Sequence, residues 1–341
     1  CRLMAMADRP VATPAAPPVA QVVPVGAAER EAMRALFLRV FGHPLSEDEW
    51  HWKYVDGGGV GVGLYEEGQL LAHYGGMPRR VLFEGREALA CQVCDVMVDP
   101  ACRRALTRRG PLWQITSRFL ELQIGDVQPH LLGFGFPTDR HHLAAERLGL
   151  YGSVDKMLCA SWPATGTMGE PGRVQSLGEP DLQPGAGPSR ALEACWRAMA
   201  AALPGRIVGI RDAAWVRHRY LRHPRFRYQV LLLRSRWWRR PLGVAVVRAQ
   251  EGHLEWVDAI GDPAHWPALL QAVRRCAGQL GLPRVDAWIT ESQKALLDGL
   301  AGDASWRPLG IDVPANTYTP GPAVERLRGR WLLMAGDTDF R

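Results

Sequence analysis

Lysine is almost absent from this chain. Lys53, Lys156 and Lys294 are its only lysines, and every other basic side chain among the 41 is arginine. Genome composition alone is enough to produce such a bias. A net charge of +6 over 341 residues favours anionic partners. It is too diffuse to mark a nucleic-acid binder. Long apolar runs are also missing, so no transmembrane helix is expected, and the first residues lack the apolar stretch of a signal peptide. The chain starts on Cys1, and Met4 and Met6 read as candidate starts. The seven cysteines are scattered and odd in number, which argues against a disulfide framework and for reduced thiols in a cytoplasm. Cys91-x-x-Cys94 has no second pair to complete a metal site, and it falls on an expected strand rather than a turn. His141-His142 lacks carboxylate spacing, so no metal is expected.

The length suggests two domains. Residues 1–24, rich in Ala, Pro and Val, read as a mobile tail. Residues 25–162 read as an N-terminal domain, 163–189 as a Gly/Pro-rich linker, and 190–341 as a C-terminal domain. In the first domain a helix over 27–41 is followed by a capping box at Ser46 and Glu49. Two hairpins are then expected, turning at Glu67-Gly68 and Glu84-Gly85. A helix starts near Thr138, and a last strand covers about 153–160.

The organising stretch is Asp95 to Leu122. A short strand, Val96-Met97-Val98, runs through Asp99-Pro100 into an arginine-crowded loop closed by Gly110. Pro111 then opens a helix with Leu112, Ile115, Phe119 and Leu122 on one face. A strand, a basic turn and a helix N-terminus together favour an anion, because unpaired amides and the helix dipole point at it.

This order resembles the acyl-CoA pyrophosphate loop of the GNAT acyltransferases, usually Arg/Gln-x-x-Gly-x-Gly/Ala. Arg103 matches its first position, but Leu106 and Arg108 stand where the glycines should be. The resemblance covers roughly 28–160. It implies a mixed α/β (α+β) fold, a twisted mixed sheet flanked by helices, with acetyl-CoA or another acyl-CoA as co-substrate and no metal. By position it places Val96, Met97 and Val98 on pantetheine and the thioester carbonyl. Arg103, Arg104, Thr107, Arg108, Arg109 and Gly110 fall around the pyrophosphate. It offers Asp95 as general base or as a group orienting one; the reading from the residues alone is a carboxylate paired with a neighbouring arginine. Gln92 lies near where some relatives keep a glutamate base, and glutamine takes no proton. The tyrosine acid of the family falls on Ala145, which leaves Tyr151 as substitute. Trp52, Tyr54, His73 and Tyr74 fall where acceptors enter such folds, although core and rim packing is the better reading of the tryptophans.

After the linker the element order repeats. Trp52-Lys53-Tyr54-Val55 has a counterpart in His218-Arg219-Tyr220-Leu221, which implies a second, degenerate GNAT-like module. Gly261-Asp262-Pro263 stands where the arginine loop stood, an acidic turn that would repel a pyrophosphate. Arg206–Arg240 holds eleven arginines against one acid, Asp212. With two tryptophans at its hairpin tip, it could meet an acidic partner such as an acidic glycan, a phosphate-bearing lipid carrier, an acyl carrier protein or a membrane face, or simply be a solvated surface. The tail from Gly329 resembles endings of tandem proteins associated with bacterial surface-polysaccharide biosynthesis. The functional expectation is acyl transfer, by acetyl-CoA, to an amine or hydroxyl of a small or glycan-related acceptor. The alternatives are an aminoacyl-tRNA-dependent enzyme of the peptidoglycan type and a non-catalytic scaffold. Neither acceptor nor oligomeric state is legible.

Overall fold

The computed structural model describes residues 21–102, 107–108, 110–166, 173–300 and 304–340. The first half contributes β1 (Gln21–Val25), α1 (Arg30–Phe41), α2 (Glu47–His51), β2 (Val60–Glu66), β3 (Gln69–Phe83), β4 (Arg86–Val98), α3 (Pro111–Gln123), β5 (Leu132–Phe134), α4 (Asp139–Arg147) and β6 (Tyr151–Pro163). The second half contributes β7 (Arg173–Leu177), α5 (Gly187–Ala202), β8 (Ile207–Gly209), α6 (Ala213–Val216), β9 (Gln229–Arg234), β10 (Pro241–Gln250), β11 (His253–Ile260), α7 (Trp266–Gln279), β12 (Arg284–Thr290), α8 (Ala295–Asp298), β13 (Ser305–Asn316), α9 (Val324–Leu327) and β14 (Trp331–Leu332). Each half carries a mixed sheet flanked by helices, as the resemblance implied.

The first sheet runs β1-β2-β3-β4-β5. The two hairpins turn on Glu67-Gly68 and Glu84-Gly85, all four residues at positive φ, the twist that two-residue hairpin loops need. One expectation fails between them. Residues 69–83 form a single strand rather than two. Pro78, which has no N–H to give, sits just past Gly76, where pairing with β2 ends. Beyond it Val81 and Leu82 pair with β8 instead.

The expected boundaries also shift. Residues 21–25 are a strand on β2 rather than tail, because Val22 packs against the core behind the sheet. The segment read as linker contains β7, the edge strand beside β9, held by buried Leu177. The strand read as the last of the first domain, β6, leaves that domain. It lies between β12 and β13 in a second sheet ordered β13-β6-β12-β11-β10-β9-β7. In return, β8 and β14 of the second half join the first sheet. The halves therefore share strands in both directions, and one large apolar cluster runs through both, from Val81 and Phe134 to Trp256 and Trp331.

Candidate active site

The ladder between β4 and β5 is parallel and short. It pairs Ala90, Cys91 and Gln92 with Leu132, Gly133 and Phe134 and then stops. From Val93 to Met97 the edge of β4 facing β5 has no strand neighbour among the described residues. In that stretch β4 bulges: the register against β3 jumps between His73 and Gly75, and Asp95 takes a φ of 48°. Such a backbone costs about 1–3 kcal/mol in a non-glycine residue and needs its surroundings to hold it. Here Lys53 Nζ meets Asp95 Oδ1 at 2.9 Å, and the Tyr54 hydroxyl donates to Asp95 Oδ2 at 2.7 Å. His73 Nδ1 donates to the Asp95 carbonyl oxygen at 2.8 Å.

These contacts decide how Asp95 behaves. Burial raises its pKa, but the Lys53 charge and the two side-chain hydrogen bonds outweigh burial and hold the carboxyl below its usual range. Its partner is one of the three lysines, not the neighbouring arginine expected. Lys53 also meets Asp339 Oδ2 at 2.8 Å. Its own pKa is well raised: burial works against the charge, and Asp339 and Asp95 together prevail.

Helix α3 begins beside the β4 edge. Gly110 is its N-cap and Pro111 its first residue. Gln114 is the first residue to bond back, to the Gly110 carbonyl at 3.1 Å, so the amides of Leu112 and Trp113 have no partner within the helix. Thr107 and Arg108 are exposed before it. Arg103, Arg104, Leu106 and Arg109 lie outside the described residues.

The acceptor candidates separate by strand alternation. Tyr74 points to the α3 side, tilted against Phe119 at 4.6 Å, and its hydroxyl meets that of Tyr151. Burial pushes both phenols up, so both keep their protons at neutral pH. His73 points the other way and is fully enclosed, with Nε2 packed where Gly61 lacks a side chain. It is not placed to touch a substrate. Cys91 and Cys94 likewise lie on opposite faces, one near Phe119 and the other near Trp52 and Met77.

Trp52 lines a pocket of about 160 Å³ between the halves. Its walls include Arg79 and Gln92 from the first half and Trp215, His218 and Asp339 from the second. Gln92 is buried, and its amide nitrogen has no hydrogen-bond partner among the described residues. The Arg79 guanidinium lies 3.9 Å over the Trp215 ring, and burial pushes its pKa down to about 10, against the pull of Asp337. His218 stacks on Trp52, with ring centres 5.1 Å apart and planes 11° from parallel. Burial, the largest influence, keeps its imidazole below the ordinary value, against the raising pull of Asp56. It is therefore neutral at pH 7, with a ring nitrogen able to take a proton.

Residues 21–141 match the acetyltransferase (GNAT) domain family. This part of the chain is similar to a GNAT acetyltransferase domain. Solved structures extend the likeness to the whole fold. A conserved protein of unknown function from Enterococcus faecalis V583, described as a probable N-acyltransferase, is 13% identical with a TM-score of 0.66, covering 91% of this chain and 74% of that one. A GCN5-related N-acetyltransferase from Kribbella flavida is 15% identical with a TM-score of 0.61, covering 87% and 71%. The Saccharomyces cerevisiae N-myristoyltransferase with bound myristoyl-CoA is 10% identical with a TM-score of 0.52, covering 95% and 90%. No curated protein matches the chain. No helix among the described residues is long and apolar enough to cross a membrane.

Reasoning from sequence missed the pocket, because its second wall comes from the other half. Arg79, Trp215 and Asp339 went unremarked. The match of Trp52-Lys53-Tyr54 to His218-Arg219-Tyr220 was the signal that could have found it: the two segments sit face to face.

Proposed function

We propose that the chain is an acyl-CoA-dependent acyltransferase whose acceptor, an amine-bearing small or glycan-related molecule, binds in the pocket between the GNAT domain and the second module. The observation that carries this reading is the position of Gln92. It is the last residue of β4 laddered to β5 and also a wall of the inter-module pocket. An open strand edge and an enclosed pocket thus meet at one point of one strand. The structure of a myristoyl-CoA-bound protein of similar fold supports an acyl-CoA donor.

Each part of the chain then has a task. The free amides of Leu112 and Trp113, with exposed Thr107 and Arg108 and with Arg103, Arg104, Arg109 and Gly110, hold the pyrophosphate of acyl-CoA. Of the amides of Val96, Met97 and Val98, which point alternately to β3 and to the open edge, those facing the edge donate to the thioester oxygen as charge develops on it. The acceptor nitrogen forms a bond to the carbonyl carbon while the carbon–sulfur bond breaks. His218 takes the proton the nitrogen loses. Tyr151, protonated and joined to Tyr74 behind the sheet, supplies a proton to the departing thiolate. Asp95 is a positioning residue: clamped by Lys53 and Tyr54, it fixes the bulge and is a weak base.

Calorimetric titration with acetyl-CoA, followed by thiol-release assays over a panel of amines, tests this. Micromolar binding with turnover on at least one amine is the expected result, and His218→Ala should lower turnover at least tenfold while leaving the affinity for acetyl-CoA unchanged. Absence of acetyl-CoA binding would overturn the donor assignment. Binding with a fully active His218→Ala would overturn only the proton-transfer role.

A further inference from the structure

The hairpin tip between β9 and β10 plays no part in that chemistry. Residues 235–240 form a loop at which Trp237 and Trp238 stand 81% and 80% exposed. Two adjacent indoles left in water are costly, because each exposes a large apolar surface that a folded chain normally covers. Arg236, Arg239 and Arg240 are exposed around them, and the Arg236 guanidinium lies 5.3 Å from the Trp237 ring centre. Arg234 stands at the base of the loop, and the β7 register places exposed Arg173 beside it. Between Asp212 and Glu251 the sequence has no acidic residue. Among the described residues no carboxylate pairs with any of these five arginines. Arg234 instead donates to the Arg239 carbonyl at 3.2 Å, bracing the loop from within.

We propose that this tip is a membrane-surface anchor that seats the protein on an anionic lipid bilayer. Indole rings, apolar but carrying one N–H donor, partition to the boundary between headgroups and acyl chains. Arginines beside them add attraction to anionic headgroups, about fivefold in binding for each residue near the surface. The occupant follows from that combination. A short tip of two indoles ringed by guanidinium groups that pair with no carboxylate among the described residues offers no groove to a peptide, but it can enter a headgroup layer without any preformed complement. The hairpin is held rigidly by β7 on one side and β11 on the other, so little order is lost on insertion.

The test is co-sedimentation of the full chain with vesicles of phosphatidylcholine alone or with one-third phosphatidylglycerol, at low and high salt. The expected result is binding to the anionic vesicles, at least tenfold weaker to the neutral ones and weakened by salt. Trp237→Ser with Trp238→Ser should lower binding tenfold or more. Arg236→Gln, Arg239→Gln and Arg240→Gln together should abolish the preference for anionic lipid. Both variants should keep the thermal midpoint, since the tip touches nothing in the core. No binding to either vesicle, or anionic binding indifferent to the tryptophan change, overturns the proposal. So does a dimer in sedimentation velocity that the tryptophan change dissolves without any vesicle binding, which would assign the tip to a second copy of the chain.

Discussion

The two modules place the same small assembly in opposite circumstances. In the first, Lys53-Tyr54 lies on a single π-helical turn and Tyr54 donates to Asp95 on β4. In the second, Arg219-Tyr220 lies on another π-helical turn and Tyr220 donates to Asp258 on β11 at 2.8 Å. The ladder of β11 with β12 stops after Trp256, as that of β4 with β5 stops after Gln92. There the likeness ends. The second gap is filled by the chain itself. Thr290 on β12 donates its amide to the Leu333 carbonyl and its hydroxyl to that of Trp331. Residues 335–337 lie against both β11 and β12. Gly336 is needed there, since a Cβ would run into the Tyr220 hydroxyl. Arg219 binds the carbonyls of Gly336 and Thr338, and buried Arg211 joins Asp258 to Asp337 at 2.8 and 2.6 Å. A tyrosine–aspartate pair that recurs beside a plugged gap reads as scaffold in both places. Whatever chemistry the chain performs should come from what differs, namely the open edge of β4 and the pocket beside it.

The comparison can be broken most forcefully at the plug. Arg211→Met removes the only cation paired with Asp258 among the described residues and leaves Asp337 only the 3.5 Å contact of Arg79, and should lower unfolding free energy by about 3–5 kcal/mol in urea denaturation. A small loss would mean that the tail is not held by this network. Next, Tyr54→Phe and Tyr220→Phe should each cost roughly 1.5–3 kcal/mol, the range for a hydrogen bond to a charged group. If Asp95 is scaffold, Tyr54→Phe leaves the pH dependence of turnover unmoved, whereas a displaced acid limb would restore Asp95 as the base.

A third test concerns the contact between modules. His223 packs on Trp52 with ring centres 4.5 Å apart, and its Nδ1 accepts the amides of Arg225 and Phe226. Burial first, then the surrounding cations Arg219, Lys53, Arg248 and Arg225, push its pKa down to about 2. A depressed folded value means that its stabilisation is complete above about pH 6.5 and declines as pH falls, because the unfolded chain takes up a proton that the folded one refuses. The slope from this ring approaches about 1.4 kcal/mol per pH unit. Denaturation at pH 7 and pH 5 should show it, and His223→Asn should flatten the difference. The smallest effect expected contrasts the two turns: Arg108→Ala should weaken CoA binding several-fold, whereas Asp262→Asn, at the corresponding turn of the second module, should leave it unchanged.

Much of the fold was legible because it is written locally. Glu67-Gly68 and Glu84-Gly85 specify hairpins by the backbone twist they tolerate, Ser46 caps Glu49, and Gly110-Pro111 announces α3. The strand exchange was not legible. β6 has the same alternation whether it closes its own sheet or lies between β12 and β13, and nothing near residue 151 encodes which neighbour it meets. Asp95 was found, but its partner Lys53 lies 42 residues away and its second-order partner Asp339 lies 286 away from that lysine. Treating His73 and Tyr74 as one feature failed for the reverse reason, since adjacent strand residues face opposite sides.

The exchange of strands has a consequence for how the protein is made. A nascent chain emerging from the ribosome can form the hairpins of the first sheet early, but β6 has nowhere to pair until β12 and β13 appear. The first sheet waits in turn for β8, and β8 for β14 at residues 331–332. Neither half has a finished core before residues 331–332 are synthesised. A premature stop therefore leaves β6 and the distal end of β3 without their neighbours, so that truncated chains should be cleared or aggregate rather than persist as a free first half.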